Sequence, residues 1–279
     1  MKVVSIVGVG LIGGSFALAL RKAGFSGNII GVSSPETVRI ALERGVIDEA
    51  LPLDQAAAQS DFIYLAQPIS RILDTLDVID GYVRPGTLIT DAGSTKAAIV
   101  TRAAERVRQG FFLGGHPMAG KESRGVGEAE ADLFHGRPYV LTTPDADMSE
   151  ATDGVAELME WIGLMGGRLV ILNAAEHDRL VALTSHLPQL IATALASSIG
   201  SEPGSERVSG PGAADMTRLA LSSYDIWRDI FATNSGPVDA ALARFIGKLE
   251  ELRGMLRDPQ IGLEFDRAAA AARNLREPK

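Results

Sequence analysis

The stretch VVSIVGVGLIGGSFALALRKAG, residues 3–24, decides the fold. It opens on β-branched apolar residues, Val3 to Val7, in a run of strand length bounded by glycine. It closes on Ser15 to Ala23, whose apolar residues recur at helical spacing. Between the two stand Gly8, Gly10 and Gly13, spaced GxGxxG. In such a turn the first glycine permits the sharp bend and the second lets backbone approach a pyrophosphate. The third lets helix and strand pack closely, and the helix N-terminus faces the anion. Alone the spacing is a glycine turn. Between strand and helix it reads as a dinucleotide site, with Leu11 and Ile12 beside the glycines facing the same ligand.

Working outward, strands are expected at Asn28 to Val32, Asp61 to Ala66, Thr87 to Thr90, Phe111 to Gly114, Tyr139 to Thr142 and Arg168 to Leu172. Helical segments such as Pro35 to Arg44 lie between them. The alternation predicts an α/β domain, a doubly wound and mainly parallel sheet with helices on both faces. After Leu172 the β-branched runs stop and Ala, Leu, Asp, Glu and Arg recur at helical spacing, which divides the chain into an α/β domain, 1–172, and an all-helical domain, 173–279. GSEPGSERVSGPGAAD, residues 200–215, reads as a long loop. Apolar stripes along VDAALARFIGKLEELRGML fit burial against a second copy, so a homodimer through the C-terminal helices is expected.

Composition narrows the function. The 279 residues carry a net charge of −8, and their 27 Lys and Arg form no basic run, so nucleic acid is not an expected partner. No cysteine is present, which excludes disulfide and thiolate chemistry and fits a reducing cytoplasm. The apolar start resembles a secretory leader, but its glycines have the better explanation above. No other apolar run is expected to cross a membrane.

The chemistry gathers at the carboxyl ends of strands, where ligands of open parallel sheets bind. The second strand ends IIGVSSPE, with Ser33 and Ser34 where an acid commonly pairs with the adenosine ribose. Two hydroxyls with Arg39 one turn on can accept a 2′-phosphate, which favours NADP over NAD. Glu36 reaching back to the ribose, or a Ser33 that tolerates both cofactors, stays open. Three further strand ends read LAQPIS, LITDAGSTK and FFLGGHPMAG. Gln67 and Ser94 from the first two face the cofactor, and His116 from the third points into the same crevice. A near-neutral imidazole is the natural base for a hydroxyl proton when hydride leaves the same carbon, and a serine can hold that oxygen. Gly114 and Gly115 would clear space for ligands. Without the glycine motif, a packing histidine would be the simpler reading of His116.

In AAEHDRLVALTSHLPQL, residues 174–190, Asp178, Ser185 and Gln189 share one helical face, with Pro188 able to kink the end. His186 lies off that face as a packing or interdomain hydrogen-bonding residue. Arg218, where the long loop meets an amphipathic helix, suits a carboxylate clamp. Arg228 and Asp229 read as a helix-surface pair, Trp227 as a core or interface aromatic, and His135 as a loop residue without a role.

Taken together, GxGLIGGS, DAGSTK, GGHPMAG, HDRLVALTSHLP and DMTRLALSSYDIWRDI resemble the prephenate and arogenate (cyclohexadienyl) dehydrogenases over nearly the whole chain. The resemblance implies a Rossmann domain joined to a helical dimerisation domain, and NAD(P)-dependent oxidative decarboxylation of a small-molecule substrate in tyrosine biosynthesis. On it, His116 takes the ring-hydroxyl proton, Ser94 binds that hydroxyl and aligns the nicotinamide, and Arg218 holds a substrate carboxylate. Glu122 would stand at the pocket mouth, with Asp178 and Ser185 along its wall. One departure is Gln189, where many prephenate-using members carry a second histidine near the substrate side chain. An amide both donates and accepts, so it suits the keto group of prephenate and the ammonium of arogenate alike, and arogenate is expected to be used at least comparably. Two-domain dehydrogenases of the β-hydroxyacid or imine-reducing type lack this histidine loop, and a non-catalytic dinucleotide sensor would need the glycines alone.

Overall fold

A computed structural model of the protein describes residues 1–121, 123–143 and 152–276. Eight strands form one sheet: β1 (Val3–Val7), β2 (Asn28–Val32), β3 (Glu49–Ala50), β4 (Phe62–Leu65), β5 (Leu88–Asp91), β6 (Phe111–Pro117), β7 (Pro138–Thr142) and β8 (Arg168–Leu172). Their order is 3-2-1-4-5-6-7-8. The pairings are parallel except between β6 and β7, which run antiparallel with His116 opposite Val140. Strand order reverses between β1 and β4, and the crevice outside their carboxyl ends is where such sheets take ligands.

The helices packing on the sheet are α1 (Leu11–Lys22), α2 (Pro35–Glu43), α3 (Leu53–Gln59), α4 (Ile69–Leu76), α5 (Ala97–Arg106) and α6 (Asp153–Leu164). Two apolar cores lie either side of the sheet. In one, Phe16 of α1 stacks on Tyr64 of β4 with ring centroids 4.0 Å apart, fixing α1 over the sheet centre. Glycine at the first and third motif positions is required by space. Gly8 has φ +96°, and a Cβ there would come within 2.7 Å of the Ala66 carbonyl oxygen; one at Gly13 would collide with the Gly8 carbonyl oxygen.

Beyond Leu172 the described residues are helical: α7 (Ala174–Val181), a π turn (Ala182–His186), α8 (Leu187–Gly200), α9 (Pro211–Thr217), α10 (Tyr224–Gly254) and α11 (Ile261–Arg276), with short 3₁₀ turns between. The stretch expected to be one long loop is partly ordered. A 3₁₀ turn spans Ser205–Arg207, and Pro211 opens α9, where its missing N–H costs nothing. The π turn precedes Pro188, which cannot donate to the carbonyl of Thr184; the wider turn absorbs that missing bond. Inside α10 the helix kinks at Asn234 (φ −133°, ψ 24°), three residues before Pro237. Contrary to the sequence expectation, the continuous helix Ala174–Gly200 is long and apolar enough, by length and composition, to cross a membrane. Its polar residues His177, Asp178, His186 and Gln189 are buried within the fold, and part of its apolar surface packs on α10 through Leu187, Val238 and Ala241.

Candidate active site

Two cavities meet at the carboxyl edge of the sheet. The first, about 290 Å³, is lined by Ile12, Gln67, Gly93 and Ser94 from the α/β half and by Ile226 and Asp229 from α10. The second, about 760 Å³, is lined by Ser185, Gln189, Arg218 and Trp227 of the helical half and by Gly120 and Lys121 of the loop after β6. Arg124 and Ile226 line both, so the two adjoin.

The glycine turn suits a dinucleotide. Gly10 caps α1 without a side-chain hydrogen bond, and a Cβ there would meet nothing within 4 Å, so open space faces the first helical amides. Ile12 and Gln67 line the first cavity; Gln67 is braced by the Thr75 hydroxyl, which donates to its Oε1 at 2.8 Å. Leu11 begins α1 with its side chain against the core. At the adenosine end, Ser34 caps α2, accepting from the Thr37 amide, and donates to the Thr37 hydroxyl at 2.9 Å. Arg39 pairs with Glu43 at 2.7 Å, both exposed, an i,i+4 contact of the weakest kind. Ser33 follows directly on β2, before that cap.

The centre of the site is a hydrogen-bonded series that sequence reading had only at its ends. His116 Nδ1 lies 2.8 Å from His177 Nε2, and His177 Nδ1 lies 2.8 Å from Asp178 Oδ1. A carboxylate accepts, so His177 carries its proton on Nδ1 and presents a bare Nε2. His116 therefore donates from Nδ1, which leaves its Nε2 with a lone pair and no partner among the described residues. Asp178 also accepts from the amides of Lys96 (2.7 Å) and Ala97 (2.9 Å), at the start of α5. These bonds tie the two halves of the chain at one carboxylate.

Asp178 is therefore not on the cavity wall with Ser185 and Gln189, as the helical wheel implied. The π turn between them inserts an extra residue into the helical register and rotates everything after it by about 100°. Asp178 consequently faces inward, 2% exposed, while Ser185 and Gln189 face the second cavity. Gly114 and Gly115 also serve a different purpose from the one expected. A Cβ at Gly114 would strike the Thr142 hydroxyl, and one at Gly115 would lie 2.6 Å from the Asp91 carbonyl oxygen. They make room for neighbouring strands rather than for ligands.

Around this series the charges are buried and ordered. Lys96 and Asp91, both fully buried, form an ion pair, and Asp91 also accepts from the amides of Gly93 (2.8 Å) and Gly115 (3.0 Å). Burial pushes the Lys96 ammonium down, against the pull of Asp91. Burial likewise holds His116 well below the usual imidazole value, with His177, Lys96 and His186 adding to the effect. His177 is lowered by burial against the pull of Asp178, and burial brings His186 down to about 4. His186 shares a hydrogen bond with Asn234 (3.2 Å) and meets Trp227 edge-on, while Asn234 also donates to the Asp178 carbonyl at 2.9 Å. The kink in α10 delivers that amide.

Asp229, expected on a helix surface, is 9% exposed. It accepts from the Ser70 amide at 2.9 Å at the start of α4, as well as pairing with Arg228. His135 lies away from both cavities, beside Lys121 and Arg137. Glu122 lies outside the described residues. Among the described residues, no group of three or more His, Asp or Glu is arranged to hold a metal ion.

Comparison with known proteins agrees with this geometry. Residues 16–170 match the nucleotide-binding domain of prephenate dehydrogenase, and residues 173–267 match its dimerization domain. The chain belongs to the prephenate dehydrogenase family. As a member it is an NAD(P)-dependent oxidoreductase. It is 34% identical to the prephenate dehydrogenase of Lactococcus lactis over 260 residues, covering 90% of this chain and 70% of that protein. Among solved structures, prephenate dehydrogenase from Aquifex aeolicus in complex with hydroxyphenyl propionate and NAD+ superposes with a TM-score of 0.89 at 28% identity, covering 99% of this chain and 98% of that one. Synechocystis arogenate dehydrogenase gives a TM-score of 0.84 at 28% identity, covering 98% and 99%.

Proposed function

We propose that this chain oxidises and decarboxylates arogenate and prephenate in tyrosine biosynthesis, as a cytoplasmic homodimer. Residues 1–172 hold the cofactor, and residues 173–279 complete the substrate site. The observation that carries the reading is the series Asp178–His177–His116, which leaves a buried imidazole nitrogen bare at the mouth of a dinucleotide crevice. Bound NAD(P)+ supplies the hydride acceptor. His116 Nε2 takes the proton of the ring hydroxyl as that carbon is oxidised. The bond from the ring to its carboxylate then breaks, carbon dioxide leaves, and the electron pair aromatises the ring. Ser94, on the cofactor cavity wall, holds the same hydroxyl and aligns the nicotinamide. Arg218 holds a substrate carboxylate, and Ser185 and Gln189 line the pocket beside it.

The neutral Gln189 amide supports use of arogenate at least as readily as prephenate. The absence of an acid at Ser33 and Ser34 supports NADP over NAD, since a surface pair such as Arg39–Glu43 yields readily to a phosphate. Steady-state assays of two substrates against two cofactors test both. The expected pattern is a kcat/KM for arogenate no lower than that for prephenate, and a preference for NADP. A hundredfold advantage for prephenate would overturn the first, a tenfold preference for NAD the second, and inertness toward both acids the reading as a whole.

The depressed basicity of His116 sets a pH profile. The base works deprotonated, and burial lowers its pKa below 6.5, so the working form is complete at neutral pH. The expected kcat/KM is flat around neutrality and falls tenfold per pH unit only below an apparent pKa under 6.5. An acid limb centred above pH 7 would count against His116 as the base.

A further inference from the structure

Arg124 was given no role by the sequence reading, yet it lines both cavities from the loop after β6, with an exposed side chain. Among the described residues, the wall of the larger cavity carries three cations, Lys121, Arg124 and Arg218, and no carboxylate, in a chain whose net charge is −8. Lys121 is neutralised by Glu130 at 2.6 Å. The acids on the smaller cavity are engaged elsewhere: Asp225 with the Ser223 hydroxyl, Asp229 with Ser70 and Arg228. Arg124 has no hydrogen bond or ion pair among the described residues.

We infer that Arg124 is a second carboxylate seat and that the substrate is held by two arginines, one from each half of the chain. This rests on the reading of the cavity as a site for a cyclohexadienyl dicarboxylate. Such a substrate carries one carboxylate on the ring, lost as carbon dioxide, and one at the end of a three-carbon arm, which stays with the product. The ring hydroxyl must lie at His116, so the arm extends away from the sheet toward the mouth, where Arg124 stands. Its planar fork can take that carboxylate through two parallel bonds.

The test is direct binding to the full chain with saturating NADP+. The probes are 4-hydroxyphenylpropionate, which has the arm and its carboxylate, and 4-propylphenol, which has the arm alone. In R124Q the propionate should bind about 10-fold to 100-fold more weakly, as expected for loss of a hydrogen bond between charged groups, and propylphenol should be unchanged. R124K should recover part of the loss, and R124Q turnover should show a raised substrate KM with kcat nearly kept. Unchanged propionate binding in R124Q overturns the proposal, and so does a loss confined to NADP+ affinity, which would assign Arg124 to a cofactor phosphate. Wild-type protein that binds the propionate through Arg124 but converts neither cyclohexadienyl acid sinks the reaction and keeps the seat. Wild-type protein that binds neither probe overturns both.

Discussion

Replacing His116 with asparagine is expected to lower kcat by about 100-fold to 10,000-fold while leaving cofactor binding within about threefold of the native protein. Asparagine is the informative substitution because the site is closed. His116 is 8% exposed and donates from Nδ1 to His177, so a truncation would leave a hole and an unanswered acceptor. The asparagine amide can still donate to His177 but has no basic nitrogen to offer the substrate. The glycine turn and Gln67 lie on other strand ends and keep their geometry, so the cofactor should bind as before. The measurement is turnover with both cyclohexadienyl acids beside cofactor titration. A variant within tenfold of native kcat would remove His116 from the proton transfer. Equal loss of turnover and cofactor affinity would mean that the crevice, rather than the base, had been damaged.

Most of the fold was legible because strand–helix alternation and the glycine turn are local signals. Every strand expected from the β-branched runs is present, within one residue at the start and three at the end. The reversal between β6 and β7 was not legible, since apolar runs carry no direction. The two-residue strand Glu49–Ala50 is too short to show any period. The site was legible where residues follow strand ends, as with Ser94 and His116. It failed where a backbone irregularity intervenes. A wheel drawn through Asp178, Ser185 and Gln189 assumes a constant helical turn, and Pro188 breaks that assumption by provoking the π turn. His177 went unnoticed for the same reason: on a regular helix it stands off the polar stripe, and only tertiary packing brings it to His116. Arg124 sits in a loop with no periodicity, so nothing in the chain's local pattern announces it.

The misplacement of Asp178 leads to the second large effect. Because its carboxylate fixes the proton on His177, and His177 fixes the proton on His116, Asp178→Asn is expected to lower kcat by about 100-fold with substrate KM little changed. The amide can present only one oxygen where the carboxylate presents two. With oxygen toward His177, its NH₂ faces the Ala97 amide, donor against donor; with NH₂ toward His177, both imidazoles must switch tautomer and His116 presents N–H to the substrate. The active tautomer is thereby depleted without removing the base. Loss of a nearby negative charge also makes protonation of His116 harder, so the acid limb of kcat/KM should move to lower pH. A defect of folding alone would reduce the amplitude and leave that limb where it was. His177→Gln provides the contrast. Its side-chain oxygen can still accept from His116 Nδ1–H, so it should retain the right tautomer and lose much less activity than Asp178→Asn. Native kcat in Asp178→Asn, or a larger loss in His177→Gln, would show that the series does not set the protonation of His116.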